Sequence, residues 1–249
     1  MIRMLPVFVA LLLGTGAIAA ALEPRAASVV RETSPAVDGV RAVSVFNGHV
    51  SVATLAGEDP RNLAFNATML AWLDEQIVAY RDCGNGTPRG REVDFHRKRE
   101  IALRAGRWVV VAESFDSFCG GAYPDSGMLH LTWDLDRGNA VEPWSWIRGS
   151  KSCSPATECR YSAPDALNGL LLAHATRNKA HDECADTLNA NRSYSVWPSV
   201  RGLFFGTAFA HALQACDENI ELRYDALLPY LTEQGGAQLR TLLDAASHR

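Results

Sequence analysis

Val40-Arg-Ala-Val-Ser-Val-Phe46 alternates apolar and polar positions imperfectly, and a second such run, His49-Val-Ser-Val-Ala-Thr-Leu55, follows Asn47-Gly48. Two β-rich runs around Asn-Gly predict a hairpin, because these residues tolerate the positive φ of a tight turn. Asp59-Pro60 opens a further turn. Beyond it Leu63, Phe65, Met69, Leu70, Trp72, Leu73, Ile77 and Tyr80 recur mostly three and four apart. That spacing predicts an amphipathic helix over about 62–80. Cys83-Gly-Asn-Gly-Thr-Pro88 is expected to end it.

The next block reads as sheet. Residues 92–103 alternate in part, Ala105-Gly106 turns the chain, and Trp108-Val-Val-Val-Ala-Glu-Ser-Phe115 is rich in β-branched and aromatic residues. Cys119-Gly-Gly-Ala-Tyr-Pro124 breaks the pattern. Met128-Leu-His-Leu-Thr-Trp-Asp-Leu135 resumes it, and a turn follows at 136–139. Residues 148–161 read as an exposed polar loop. Helices are predicted over about 164–177, 182–189 and 235–243, and strands over 202–205, 209–213 and 220–224, with a short helical or turn segment at 225–231. Interspersed helices and strands without βαβ repeats predict an α+β fold, an antiparallel sheet with packed helices.

The first 21 residues change the picture. Arg3 precedes an apolar run, Leu5–Leu13, and small residues end at Ala17-Ile-Ala-Ala-Ala21. This is the pattern of a signal peptide, with an uncleaved anchor as the alternative. The run is short for a bilayer span, and no later stretch supplies one. Residues 22–38, with two prolines and mixed charge, read as a flexible leader. The expected location is periplasmic or secreted, with no stable membrane span after cleavage.

All six cysteines follow the signal: Cys83, Cys119, Cys153, Cys159, Cys184 and Cys216. An even count in an exported chain predicts three disulfides, so the fold is expected to be disulfide-stapled. Fifteen pairings are possible. Cys153 and Cys159 are close enough for a local bridge; Cys83 with Cys119 and Cys184 with Cys216 would each tie a helical region to the sheet. A zinc site is the alternative, but no C-x2-C spacing supports it. The chain has a formal charge of −4. Losing residues 1–21 removes Arg3 and no acid, leaving −5. That balance argues against nucleic acid as a partner.

Catalytic signals are weak. There is no G-x-S-x-G elbow and no phosphate loop. His174 and His181 are seven apart rather than four, and His130 lies mid-strand, sharing a face with Thr132. Cys216 near His211 suggests a thiol nucleophile only if it is not paired. A carboxylate pair for glycan cleavage would have to come from Glu113, Asp116, Asp125, Asp134, Asp136 or Glu142. Asn66, Asn85 and Asn191 begin Asn-x-Ser/Thr triplets, which matter only in a eukaryotic secretory pathway. Tyr123, Trp144 and Trp197 each adjoin a proline, and Trp146 lies two residues past Trp144. Loop aromatics of this kind anchor sugars or proteins, or else fill the edge of the core. Tyr123, Asp125, Trp144 and Trp146 are therefore the candidate binding residues. No catalytic residue, metal ligand or cofactor is assigned.

Cys119-Gly-Gly-Ala-Tyr-Pro124, with Leu129-x-Leu-Thr-Trp-Asp-Leu-Asp-x-Gly138, resembles the Gly-Gly-Ala-His-Pro motif and strand-turn of the DUF3298 domain. Ile220–Leu231 is similar to that family's closing pattern. Residues 39–90 resemble the DUF4163 module that often precedes it, leaving 91–249 as the DUF3298-like part. Tyr123 stands where the family often has His, and 150–191 is long for it. The resemblance implies an α+β fold in a cell-envelope setting. Its best-known case is the extracytoplasmic region of the anti-sigma factor RsiV, which binds lysozyme. The function expected is a non-enzymatic binding module that recognises a lysozyme-like protein or an envelope polymer; the alternative is an envelope glycan or peptide hydrolase.

Overall fold

β1 (Glu32–Thr33), β2 (Val40–Val45) and β3 (Val50–Leu55) form an antiparallel set. Phe46, Asn47 and Gly48 all hold positive φ in the loop between Val45 and Val50, so the turn is longer than the two-residue one that Asn-Gly predicts. The computed structural model describes residues 29–87, 94–120, 123–150, 161–175, 184–190, 193–207, 209 and 211–247. The signal segment 1–21, the Cys153–Cys159 bridge and His181 lie outside them. Within the stretch read as a flexible leader, Glu32 and Thr33 pair with Ser44 and Val43, so part of it is the edge of the sheet. Arg31 adds an ion pair to Asp74.

The helix after the hairpin is longer than its periodicity predicts. α1 runs Pro60–Gly86. Asp59 caps it, its carboxylate accepting from the Arg61 N–H at 2.9 Å, and Pro60 supplies a preset φ at the first turn. The glycines at 84 and 86 do not end it at 80, because Cys83 is held by a disulfide to Cys119. Thr87 closes the last turn, its N–H and hydroxyl both donating to the Cys83 carbonyl. Tertiary anchoring overrides the helix cost of glycine, about 1 kcal/mol each.

β4 (Asp94–Ala105), β5 (Trp108–Phe118), β6 (Asp125–Asp134) and β7 (Asn139–Val141) complete a seven-stranded sheet in the order β1 to β7. β3 and β4 pair in parallel, since α1 carries the chain across before β4 begins. The other pairs are antiparallel, so the sheet is mixed rather than purely antiparallel. β8 (Ser195–Pro198), β9 (Gly202–Gly206) and β10 (Asn219–Arg223) form a second, antiparallel sheet. α2 (Asp165–Ala175), α3 (Ala185–Ala190), α4 (Tyr224–Leu227) and α5 (Glu233–Ser247) complete the α+β fold. Residues 90 and 91 lie outside the described residues, but strands from both sides of them, β3 and β4, pair within one sheet.

Side chains alternate across the main sheet. On one face Val109, Val111 and Trp133 meet Phe65, Met69, Trp72 and Leu73 of α1. On the other, Trp108 meets Trp144, Trp146, Leu167, Leu203, Phe205 and Leu239. The main sheet is thus the middle layer between α1 and a layer made of the small sheet with α2 and α5. Each fully buried large apolar side chain contributes about 1.5–3 kcal/mol.

One expected element differs and one was not expected. Residues 209–213 were expected to be a strand, but His211–Cys216 is a 3-10 helix. Cys216 bonds to Cys184, and the Asp217 carboxylate accepts from the Phe209 N–H at 2.8 Å, which curls the segment. β8 has no counterpart among the predicted strands. It is short and ends in Pro198, a residue tolerated there because β8 is an edge strand.

α5 meets the 3-10 turn Pro143–Trp146 backbone to backbone at Gly235. A Cβ there would lie 2.4 Å from the Trp146 carbonyl oxygen, whereas one at Gly236 would find nothing nearer than Leu231 at 4.0 Å. Gly235→Ala is expected to lose about 2 kcal/mol or more despite alanine's helix preference. Gly236→Ala is expected to gain about 0.5–1 kcal/mol. Urea unfolding of the two variants checks the opposite signs.

Candidate functional site

The two sheets meet where β6 passes β8, and a crevice lies between them. β7 pairs with β6 only at Thr132, Trp133 and Asp134. Among the described residues, β6 residues 125–131 therefore have a strand, β5, on one side alone. The crevice has two connected parts, of about 290 Å³ and about 720 Å³. Leu129, His130, Ser195 and Phe209 line both.

His130 is the central side chain. It shares the β6 face with Thr132, as the alternation predicts, and its ring stacks on Trp197 of β8 at 3.6 Å with 5° between planes. Trp197 in turn stacks on Phe204 at 5.4 Å. Gly206 makes room for the indole, since a Cβ there would come within 2.7 Å of it. Burial pushes the His130 imidazole down to about 4. Its Nδ1 is shut from solvent without a hydrogen-bond partner among the described residues.

A folded-state value below the usual 6.5 means that the unfolded chain takes up this proton first as the pH falls. The fold therefore loses stability from about pH 6.5 down to about 4, and loses no more from this group below that. His130→Phe keeps a stacked ring and is expected to flatten that part of the stability–pH curve. Urea midpoints between pH 4 and 7 measure it. Glu142 acts with the opposite sign. The crevice walls desolvate its carboxyl and push it above the usual carboxylate range, opposed by the Trp144 N–H. The residue as a whole is exposed, so this shift is the weaker of the two.

The four candidate binding residues separate. Tyr123 is 74% exposed, and Asp125 is an exposed residue at the start of β6 lining the crevice. Trp144 and Trp146 are 2% exposed and belong to the core, which removes Trp146 from any binding surface and leaves Trp144 only an edge in the crevice wall. The cause is local. Pro143–Trp146 forms a 3-10 turn, capped by Glu142, that turns both indoles inward. Trp144 Nε1 donates to the Tyr194 carbonyl at 2.9 Å, and Trp146 packs edge-on against Trp108 at 5.3 Å.

The other carboxylates considered for catalysis are structural where they are buried. Glu113 accepts from Arg99 Nε at 2.8 Å and lies 3.6 Å from Arg97. Asp134 is fully buried and accepts from the N–H groups of Asp136 and Arg137, fixing the β6–β7 turn. Cys216 is in a disulfide, so the thiol-nucleophile reading with His211 does not hold. Asp217 lines the crevice but is engaged by Phe209 N–H. Among the described residues no three His, Cys, Asp or Glu side chains gather as a metal site. Among the described residues none that lines the crevice is Lys or Arg, whereas Asp125, Asp217 and Glu142 are acids.

Cys83–Cys119 and Cys184–Cys216 are disulfides, in the expected pairing. Among the described residues no helix is long and apolar enough to cross a membrane. No family model matches the chain, and no curated protein does. Solved structures do. A DUF3298 family protein from Pseudomonas aeruginosa PAO1 superposes with a TM-score of 0.53 at 14% identity, covering 83% of this chain and 95% of that one. A DUF3298 family member from Bacteroides fragilis NCTC 9343 gives 0.49 at 12% identity, over 89% and 96%. The likeness to the Pseudomonas protein assigns this chain the fold of a DUF3298 family protein, the fold implied by the motifs at 119–124 and 129–138.

Proposed function

We propose that the protein is an exported, non-enzymatic binding module of the bacterial cell envelope whose ligand is a cationic protein of the lysozyme kind. The observation that carries this reading is the acid-lined crevice beside an open length of β6, with no Lys or Arg on its walls among the described residues. The disulfides and the signal-like start support export, since paired thiols persist outside the cytosol. The charge of −5 after removal of residues 1–21 favours a basic partner in encounter. In this reading residues 39–90, with their hairpin and helix, are the DUF4163-like part.

A second reading has one observation behind it. Burial shifts His130 down and Glu142 up within one crevice, an arrangement that a site for acid–base chemistry would also show. Against it, the His130 ring is clamped face to face on Trp197. Lysozyme passed over the immobilised, oxidised protein tests the first reading. Retention that is lost on raising salt from 50 to 500 mM is expected. No retention, together with turnover of a glycan or peptide panel, would reverse the order.

A further inference from the structure

β6 exposes unused backbone at the crevice. In an antiparallel strand the N–H and C=O of one residue point to the same side, and successive residues alternate. The Leu135 N–H donates to the Arg107 carbonyl, toward β5, whereas the Asp134 carbonyl accepts from Gly138, away from it. The Ser126 carbonyl also points away, accepting from Gln214 Nε2 at 2.8 Å. The β5–β6 register is continuous from 125 to 134. Met128 and His130 therefore aim their N–H and C=O groups away from β5, in the stretch before β7 begins to pair at Thr132. Among the described residues nothing receives these four groups. Met128 is 53% exposed and Leu129 46% exposed, so the edge is reachable.

We propose that this edge takes an extended, basic peptide segment of a partner protein, which adds a strand beside Met128 and His130 and sets a Lys or Arg against Asp125. The inference rests on the binding reading and specifies its mode. Strand addition obtains affinity from main-chain hydrogen bonds and specificity from the side-chain recesses. Here the recesses are acidic and aromatic: Asp125, exposed and without an ion pair among the described residues, lies at one end, and the His130–Trp197 stack forms the floor. An open strand edge is also a hazard for self-association, so a second copy of this chain is the rival occupant.

The test uses the full oxidised protein and a fluorescein-labelled, end-blocked heptapeptide of alternating Lys and Val. Its Glu–Val counterpart and a version N-methylated at alternate backbone amides are the controls. The Lys–Val peptide is expected to bind at least about tenfold more tightly than either control. Hydrogen exchange of the Met128 and His130 amides is expected to slow at least about tenfold on binding, with no change at Leu129, whose amide already faces β5. Asp125→Asn is expected to weaken binding several-fold. Met128→Pro, which removes an outward N–H at an edge position, is expected to do so by tenfold or more. Equal binding of the N-methylated peptide would overturn the proposal, as would unchanged exchange at Met128 and His130. Protection of those amides that rises with protein concentration alone would assign the edge to a second copy. Lysozyme retained while the amides stay unprotected sinks strand addition and leaves the binding reading standing; neither ligand binding sinks both.

Discussion

Loss of both disulfides found among the described residues is expected to bring the protein to the edge of unfolding at 37 °C. Cys83–Cys119 spans 36 residues and Cys184–Cys216 spans 32. In the chain-entropy model each closure contributes about 4 kcal/mol, while a domain has only about 5–15 kcal/mol in total. Cys83→Ala/Cys119→Ala and Cys184→Ala/Cys216→Ala are each expected to lower the unfolding free energy by about 4 kcal/mol in urea titrations. The two bridges act on different parts. One holds the end of α1 to the loop after β5. The other holds the start of α3 to the 3-10 helix that carries Gln214, the residue that occupies the Ser126 carbonyl at the crevice. Removing the second should therefore also speed hydrogen exchange along β6. A loss below about 1 kcal/mol for either pair would show that the packed layers hold these segments without help.

The second large effect is expected at Glu113. The residue is 7% exposed, and its carboxylate is shared by Arg99, at 2.7 and 2.8 Å, and Arg97, at 3.6 Å. Arg99 also lies 4.4 Å over the Trp72 ring and Arg97 4.6 Å over Phe115, so both guanidinium groups are wrapped in aromatic surface. Glu113→Ala leaves two largely desolvated cations without their anion, a change that costs about 3–5 kcal/mol. Glu113→Gln keeps an acceptor and should lose about half as much. Glu113→Leu combined with Arg99→Met should recover part of the loss, because that apolar pair needs no desolvation while Arg97 still lacks its anion. Failure of the double variant to recover would mean that Arg99 matters through its stacking on Trp72 rather than through charge.

Local chemistry was legible in the chain and long-range contact was not. The β2–β3 hairpin follows from Asn47-Gly48, and β5 from its run of β-branched residues. The pairing of Cys184 with Cys216 was one choice among fifteen possible pairings, and the fold supplies the contact that selects it. α1 outran its expected end, since the glycines that signal a stop were overruled by a bond to Cys119, distant in sequence. The indoles at 144 and 146 illustrate the same limit. Proline beside tryptophan marks a turn, but which way the turn faces depends on Tyr194 and Trp108, which the local pattern does not contain. The alternation in β6 put His130 on the correct face. Its stacking partner comes from a strand 67 residues later, in a short segment that lacks a strand signature. Asp125 alone among the four candidates lines the crevice as an exposed side chain, which acidity beside a strand start does not distinguish from ordinary surface.

Asn66 gives α1 a further role. Its side-chain amide accepts from the Leu55 N–H at 2.7 Å and donates to the Leu55 carbonyl at 2.8 Å, so it stands in for a neighbouring strand past Val52, where the recorded pairing of β3 with β4 ends. The same nitrogen begins the triplet Asn66-Ala-Thr68. A yeast or mammalian secretion host would attach a sugar chain to it before folding and so displace this surrogate strand. Material for biophysical work is therefore better made in a bacterial periplasm, and Asn66→Gln does not rescue eukaryotic production, because the longer side chain shifts the amide away from Leu55.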